Sequence, residues 1–253
     1  MQSFDNKTVI VTGGSRGLGR GIAEQFLSAG ANVVICGRNE PESRPRGGGR
    51  EALFVAADVR DAESSQALVD YALQVTGRLD VLINNAGGSP EVAAADAKPR
   101  FTDAIIRLNL IAPLVLSQQA HAAMLENDGG SIVNIASVSA IRPSPGTAAY
   151  GAAKAGLVNA TRSLAQEWAP DVRVNVIIAG LARTEAAESH YGGEEGIRKI
   201  EQRMPMQRML LPDDLGLACL YLASDEAAYV SGATLEVHGG GEPPAFLSLQ
   251  RDE

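Results

Sequence analysis

Short polar or glycine-bearing motifs recur directly after apolar, β-branched stretches in this chain, and their placement constrains the fold more than any other feature. In order they are Thr12-Gly13-Gly14-Ser15-Arg16-Gly17-Leu18-Gly19, Arg38, Asp58, Asn84-Asn85-Ala86-Gly87, Ser137 and Gly180. Open parallel α/β sheets bind ligands beyond the carboxyl ends of their strands, so this series points to one shared crevice.

The intervening sequence supports that geometry. Strands are expected at Thr8–Thr12, Asn32–Cys36, Ala52–Ala57, Val81–Asn84, Ser131–Ala136, Arg173–Ile178 and Thr234–Val237. Their near-continuous Val/Ile/Leu character suits strands covered on both faces. Helices are expected at Gly17–Ala29, Asp61–Thr76, Lys98–Asn127, Ala149–Trp168 and Pro212–Ala223. The alternation predicts a doubly wound α/β fold with a seven-stranded parallel sheet. Between Arg38 and Glu51 the chain is too rich in Pro and Gly for a normal helix, so an irregular connection is expected there. With no internal repeat or linker, residues 1–253 read as one domain that ends in a short tail over 241–253.

Composition excludes several function classes. A net charge of −8 argues against a nucleic-acid surface, which would want a basic face. Three scattered histidines and two cysteines form no ligand cluster, so no metal site is expected. Cys36 and Cys219 stand in apolar surroundings and read as buried thiols in a reducing compartment. No charged-then-apolar leader opens the chain, and no apolar run approaches the ~20 residues that span a bilayer. A soluble, cytoplasmic protein without membrane partners is the expectation.

The first half carries a nucleotide-binding signature. Gly13, Gly17 and Gly19 open a helix after the first strand, where the backbone can approach a pyrophosphate and the positive helix end stabilises it. A purely structural turn uses the same residues. In NAD-selective sites an acid stands about 20 residues on, to bond the ribose. Here the second strand ends at Gly37-Arg38, with no acid before Glu40. Arg38, with Arg16 as a second cation, can pair with a 2′-phosphate, which favours NADP(H) over NAD(H). Arg44, Arg46 and Arg50 are either a solvated loop or helpers at the same phosphate. Asp58-Val59 can meet an adenine through a carboxylate and a backbone amide, or Asp58 is only a helix cap. The turn Asn85-Ala86-Gly87 offers amides to a ribose, or is simply a tight turn.

The second half carries the reactive groups. Tyr150 and Lys154, spaced i and i+4, share one helix face among small neighbours. A free phenol has a pKa of about 10, and an adjacent ammonium lowers it. Ser137 follows the fifth strand and opens onto the same crevice, with Ser139 as the competing choice.

With these residues in view, the chain resembles the short-chain dehydrogenase/reductases of roughly one-domain length. The matching residues are the Thr12–Gly19 turn, Asn84–Gly87, Asn109, Ser137, Tyr150-Gly-Ala-Ala-Lys154 and the stretch from Asn175 through Thr184. The resemblance runs from about Lys7 to Gly240 and implies a Rossmann-type fold. It implies that Tyr150 is the acid/base, that Ser137 polarises the carbonyl, and that Lys154 lowers the phenol pKa and holds the nicotinamide ribose. It implies that Asn109 sits at a helix irregularity and supports a proton-relay water. Gly13, Ser15, Arg16, Leu18, Asp58, Val59, Asn85, Gly87, Gly180 and Thr184 would line the dinucleotide.

The implied activity is hydride transfer between NADP(H) and a carbonyl/secondary-alcohol pair of 3-oxoacyl, steroid, sugar or polyol type. The alternatives are an NAD-dependent alcohol dehydrogenase of the same fold, or a non-catalytic dinucleotide-binding regulator. A homotetramer is implied, with a dimer next. Residues 185–211 would form the substrate lid, with Met204, Met206 and Met209 serving a hydrophobic substrate or plain packing. His190 and His121 read as surface residues. Three departures stand out: Ala179 where the family has Pro, Gln207 where Gly is frequent, and His238 where Asp is common. Loss of the Pro is expected to loosen the loop at Gly180.

Overall fold

The computed structural model describes residues 3–244, so most of the tail expected over 241–253 lies outside the described residues. The chain runs β1 (Thr8–Thr12), α1 (Gly17–Ser28), β2 (Asn32–Gly37), the short β3 (Arg46–Gly47) and β4 (Arg50–Glu51), β5 (Leu53–Ala56) and α2 (Ala62–Thr76). It continues through β6 (Val81–Asn84), α3 (Pro99–Ile106), α4 (Ala112–Leu125), β7 (Gly130–Ser137), α5 (Ala148–Glu167) and β8 (Val172–Ala179). The last elements are α6 (Ala187–Tyr191), α7 (Gly193–Arg203), α8 (Pro212–Ala223) and β9 (Thr234–Val237).

Seven strands form one parallel sheet in the order β5-β2-β1-β6-β7-β8-β9. The order reverses between β1 and β6, the switch point outside which ligands of such sheets sit. Side-chain alternation explains why the strands are apolar throughout. Val9, Val11, Val33, Ile35 and Ile83 pack against α1 and α8 through Phe26, Leu27, Leu215 and Cys219. Ile10, Val34, Leu82, Ile132 and Val174 face the other way, onto Leu68 and Val69 of α2 and Leu116 and Ala120 of α4. The central strands β1, β6, β7 and β8 are therefore almost entirely buried on both faces, while the edge strands β5 and β9 are half-buried.

The irregular connection expected after Arg38 contains an antiparallel pair, β3 with β4, seated on α1. Two local expectations need correction. The helix expected over Lys98–Asn127 is two α-segments joined by a π turn at Arg107–Ile111. His121 is not a free surface residue: its ring stacks on Trp168 with centroids 4.4 Å apart. Among the described residues no helix is long and apolar enough to cross a membrane.

The departures flagged in the sequence have local explanations. Ala179 is a full strand residue, in register with Ser137 on one side and Val237 on the other. The sheet holds the chain there as far as Gly180, whose N–H donates to Val237 O at 3.0 Å. A Cβ on Gly180 would stand 2.7 Å from the Cα of His238. Gln207 holds a left-handed φ of +54°, which is why a glycine is natural at that turn. Met204 and Met209 are buried packing residues of the segment, while Met206 and His190 are exposed.

Candidate active site

The crevice opens between the turns that follow β1 and β6. Thr12 fastens these turns together: its hydroxyl accepts the N–H groups of Asn85 and Ala86, both at 2.9 Å, and the Asn85 side chain donates back to Thr12 O at 2.8 Å. Gly19 is required by close approach, because a Cβ would stand 2.2 Å from Gly13 O. At the mouth of α1, Gly17 has φ +54° and a Cβ there would stand in ordinary contact with Thr184, at 3.5 Å. Backbone N–H groups and the positive end of a helix fit a pyrophosphate there.

Arg38 lies near enough to Asp58 to help hold the Asp58 carboxyl below its ordinary value, although the larger cause is its hydrogen bonding to Arg60. Arg60 grips that carboxylate at 2.5–3.2 Å, and the Asp58 N–H donates to Ser64 Oγ at 3.0 Å. The Asp58 carboxylate and the Asp58 N–H are thus engaged within the chain, and Val59 follows directly. Asp58 is also not a cap; Asp61 caps α2 by accepting from Ser64 N–H. Arg20, Arg44, Arg46 and Arg60 are each paired with a carboxylate. Arg16 and Arg38 are exposed and have no ion-pair partner among the described residues.

On the reacting side, Lys154 is buried, and its ammonium donates to Ile135 O at 2.7 Å and lies 5.7 Å from the centre of the Tyr150 ring. Gly87 sits between Lys154 and Asn109: an added Cβ would stand 3.1 Å from Lys154 Nζ and 2.6 Å from Asn109 Oδ1. Ser137 ends β7, faces the Tyr150 phenol, and accepts the Ser139 N–H at 3.2 Å. The Ser139 hydroxyl is turned instead to Ser144, which donates to it at 3.1 Å.

Burial dominates the electrostatics of the pair. Burial pushes the Tyr150 phenol above its ordinary value, and the hydrogen bond from Ser137 offsets only part of the rise. Burial also lowers Lys154 to about 8, which leaves the ammonium mostly protonated near neutrality. Tyr150 is therefore held as a proton donor. Asn109 lies in the π turn, at the irregularity implied by the resemblance. Its carboxamide donates to Gly88 O and Ile105 O, both at 3.0 Å, and accepts the Gly88 N–H at 2.9 Å. Both N–H donors are spent on backbone, so neither is left for a relay water.

Ser117, Asn134 and Thr161 carry no local sequence signal. Asn84, Ser117, Asn134 and Thr161 form a buried chain of hydrogen bonds behind the site, linking β6 and β7 to α4 and α5. Tyr191, at the end of α6, lies close enough to Tyr150 to influence its ionisation. Thr184 faces the open side of Gly17.

Comparison with known proteins agrees with this layout. A family model described as enoyl-(acyl carrier protein) reductase matches residues 13–242. An uncharacterized oxidoreductase of Mycobacterium tuberculosis is 38% identical over 247 residues, covering 95% of this chain and 94% of the relative. The D-threitol dehydrogenase of Mycolicibacterium smegmatis is 35% identical over 243 residues, covering 94% of this chain and 93% of the relative. A solved 7α-hydroxysteroid dehydrogenase, complexed with NADH and 7-oxo glycochenodeoxycholic acid, superposes with a TM-score of 0.87 at 31% identity, covering 96% of each chain.

Proposed function

The chain belongs to the short-chain dehydrogenase/reductase family of NAD(P)-dependent oxidoreductases, and from that premise we propose hydride exchange between NADP(H) and a secondary-alcohol/carbonyl pair. The observation that carries the reading is the convergence of the Ser137 hydroxyl, the Tyr150 phenol and the Lys154 ammonium at the carboxyl end of the sheet, beside Gly87.

When bound, the nicotinamide supplies or accepts the hydride. The glycine turn of Gly13, Ser15, Arg16, Gly17, Leu18 and Gly19 would hold the pyrophosphate with Thr184. Val59 and the Asn85-Ala86-Gly87 turn would line the adenosine and the nicotinamide ribose, and Gly180 would lie against the ring. In reduction Ser137 donates a hydrogen bond to the substrate oxygen and orients it. Tyr150 gives its proton to the same oxygen as the C–H bond forms, a role suited to a phenol whose pKa is raised rather than lowered. In oxidation Tyr150 takes that proton back. Lys154 holds a ribose hydroxyl and adds positive charge once protonated. Asn109 is a positioning residue in this reading, since its polar atoms fix the Gly88 backbone.

The 2′-phosphate preference rests on Arg16 and Arg38, which have no ion-pair partner among the described residues where neighbouring arginines are neutralised. A second reading, NAD(H), is favoured by the solved steroid dehydrogenase, whose complex contains NADH. Polyols and steroids are the substrate classes that the relatives' names bring forward, and sugars and 3-oxoacyl thioesters join them from the sequence resemblance. We also read residues 185–211 as a substrate lid on one dinucleotide-binding domain. A cytoplasmic homotetramer is the assembly proposed, with two free buried cysteines and exposed small residues along α5 as its support.

A substrate panel followed by nicotinamide absorbance, with Tyr150→Phe as control, tests the reading. Turnover on one class falling about 10²- to 10⁴-fold in the variant supports it. Near wild-type turnover of the variant sinks it.

A further inference from the structure

The loop leaving β8 brings Glu185 onto the first turn of α1. Its carboxylate accepts the Gly17 N–H through both oxygens, at 3.0 and 3.4 Å, across 168 positions of sequence. Nothing local supplies this function. The first turn of α1 contains no acid, and Arg16 at the N-cap makes no side-chain capping bond. A carboxylate is at home on this helix end because the unpaired N–H groups give it partial positive charge.

A dinucleotide pyrophosphate needs the same N–H and carries the same sign of charge. Both cannot occupy it. We propose that Glu185 is an internal competitor that sets dinucleotide affinity by sitting on the glycine turn until the pyrophosphate displaces it. The proposal rests on the reading of that turn as the dinucleotide site. The contact is also tied to the rest of the segment. Two residues earlier, Arg183 is fixed by ion pairs to Glu194 and Glu201 of α7, at 2.6 and 3.2 Å. Its N–H donates to Leu210 O at 2.8 Å. Two residues later α6 begins, with Ala187 buried against Ile197 and Met209. Release of Glu185 needs only a turn of its exposed side chain, on a segment held at Arg183 and Ala187.

The test is the affinity of the purified protein for NADPH and NADH, by fluorescence titration, in wild type, Glu185→Gln, Glu185→Ala and Glu188→Gln. Glu188 is exposed on α6 and bears the same charge, but has no bond to Gly17. The two Glu185 variants are expected to bind the preferred dinucleotide about three- to tenfold more tightly, the range expected for a charged group at a partly exposed helix end. Glu188→Gln is expected to match wild type. Unchanged or weaker binding in Glu185→Ala overturns the proposal, as does equal tightening in Glu188→Gln, which would reduce the effect to general charge. If wild type binds neither dinucleotide, the glycine-turn reading falls first and the competitor with it. That outcome is distinct from binding that ignores residue 185.

Discussion

Asn109 and Gly88 hold each other by a two-way contact. The carboxamide oxygen accepts the Gly88 N–H at 2.9 Å, and the carboxamide nitrogen donates to Gly88 O at 3.0 Å. The π turn is what aims this side chain at the loop after β6. Because Gly87 lies between Asn109 and Lys154, the pairing sets where the floor of the crevice runs.

Asn109→Ala removes both bonds and leaves the Gly88 groups to find other partners. A loss of about 2–3 kcal/mol in unfolding free energy is expected, the usual cost of orphaning partly buried polar groups. Dinucleotide affinity should fall with it, since the turn that lines the ribose is released. Urea unfolding and a binding titration measure the two effects. Full stability with full affinity would show that the contact is ornamental.

How much of this was legible beforehand divides by the range of the interactions. The strands, the glycine turn and the Tyr150/Lys154 pair are local patterns, so periodicity and an i, i+4 spacing reveal them. The contacts of Thr12 with Asn85, of Asn84 with Asn134, and of Glu185 with Gly17 join residues far apart in sequence, and nothing in either partner's neighbourhood announces the other. The ionisation of Tyr150 is not legible in the sequence for a different reason. Spacing shows that a lysine is near, but the depth of burial decides whether that lysine is charged and whether the phenol is desolvated. The π turn was implied by resemblance alone, because its residues form an ordinary apolar helical run.

Lys154 gives a pH signature in stability. Its folded-state pKa is lowered from 10.5 to about 8 by burial. Below the folded value the side chain is charged in both states, and the folded protein bears the whole desolvation cost. Between about 8 and 10.5 the folded form has lost the proton while the unfolded chain keeps it, so stability contributed at this site rises with pH. Lys154→Met should therefore be more stable than wild type near neutrality, by on the order of 3 kcal/mol, with the gap closing as pH approaches 10. Comparing the two proteins cancels Cys36, whose thiol is pushed up to about 11 and acts in the opposite direction. Denaturant titrations across that range check it, and a constant gap would refute the assignment of the shift.

Arg38 separates the two cofactors. An exposed guanidinium without an ion-pair partner among the described residues is free to take a 2′-phosphate in bidentate fashion. Arg38→Ala should weaken NADPH binding about tenfold or more and leave NADH within about twofold. Fluorescence titration of both cofactors decides the matter. An equal loss for the two would move Arg38 to a structural role, and a wild-type preference for NADH would favour the second reading.

Gln207 should be a site where glycine improves the fold. Its φ of +54° places a side-chain-bearing residue in the left-handed region, which costs roughly 1–2 kcal/mol for most L-residues. The side chain is exposed, and the turn is closed by the backbone, with Gln207 N–H donating to Met204 O at 2.9 Å. Gln207→Gly therefore removes the strain without removing a buried contact. Part of the gain is returned to the more flexible unfolded chain, because glycine has more conformations to lose. The net expectation is about 0.5–1 kcal/mol of added stability, or a rise of about 1–3 °C in Tm for a chain of this size. Calorimetry of the two proteins under identical conditions is the check. A Tm that falls would mean that the Gln207 side chain stabilises the turn in a way its exposure does not reveal.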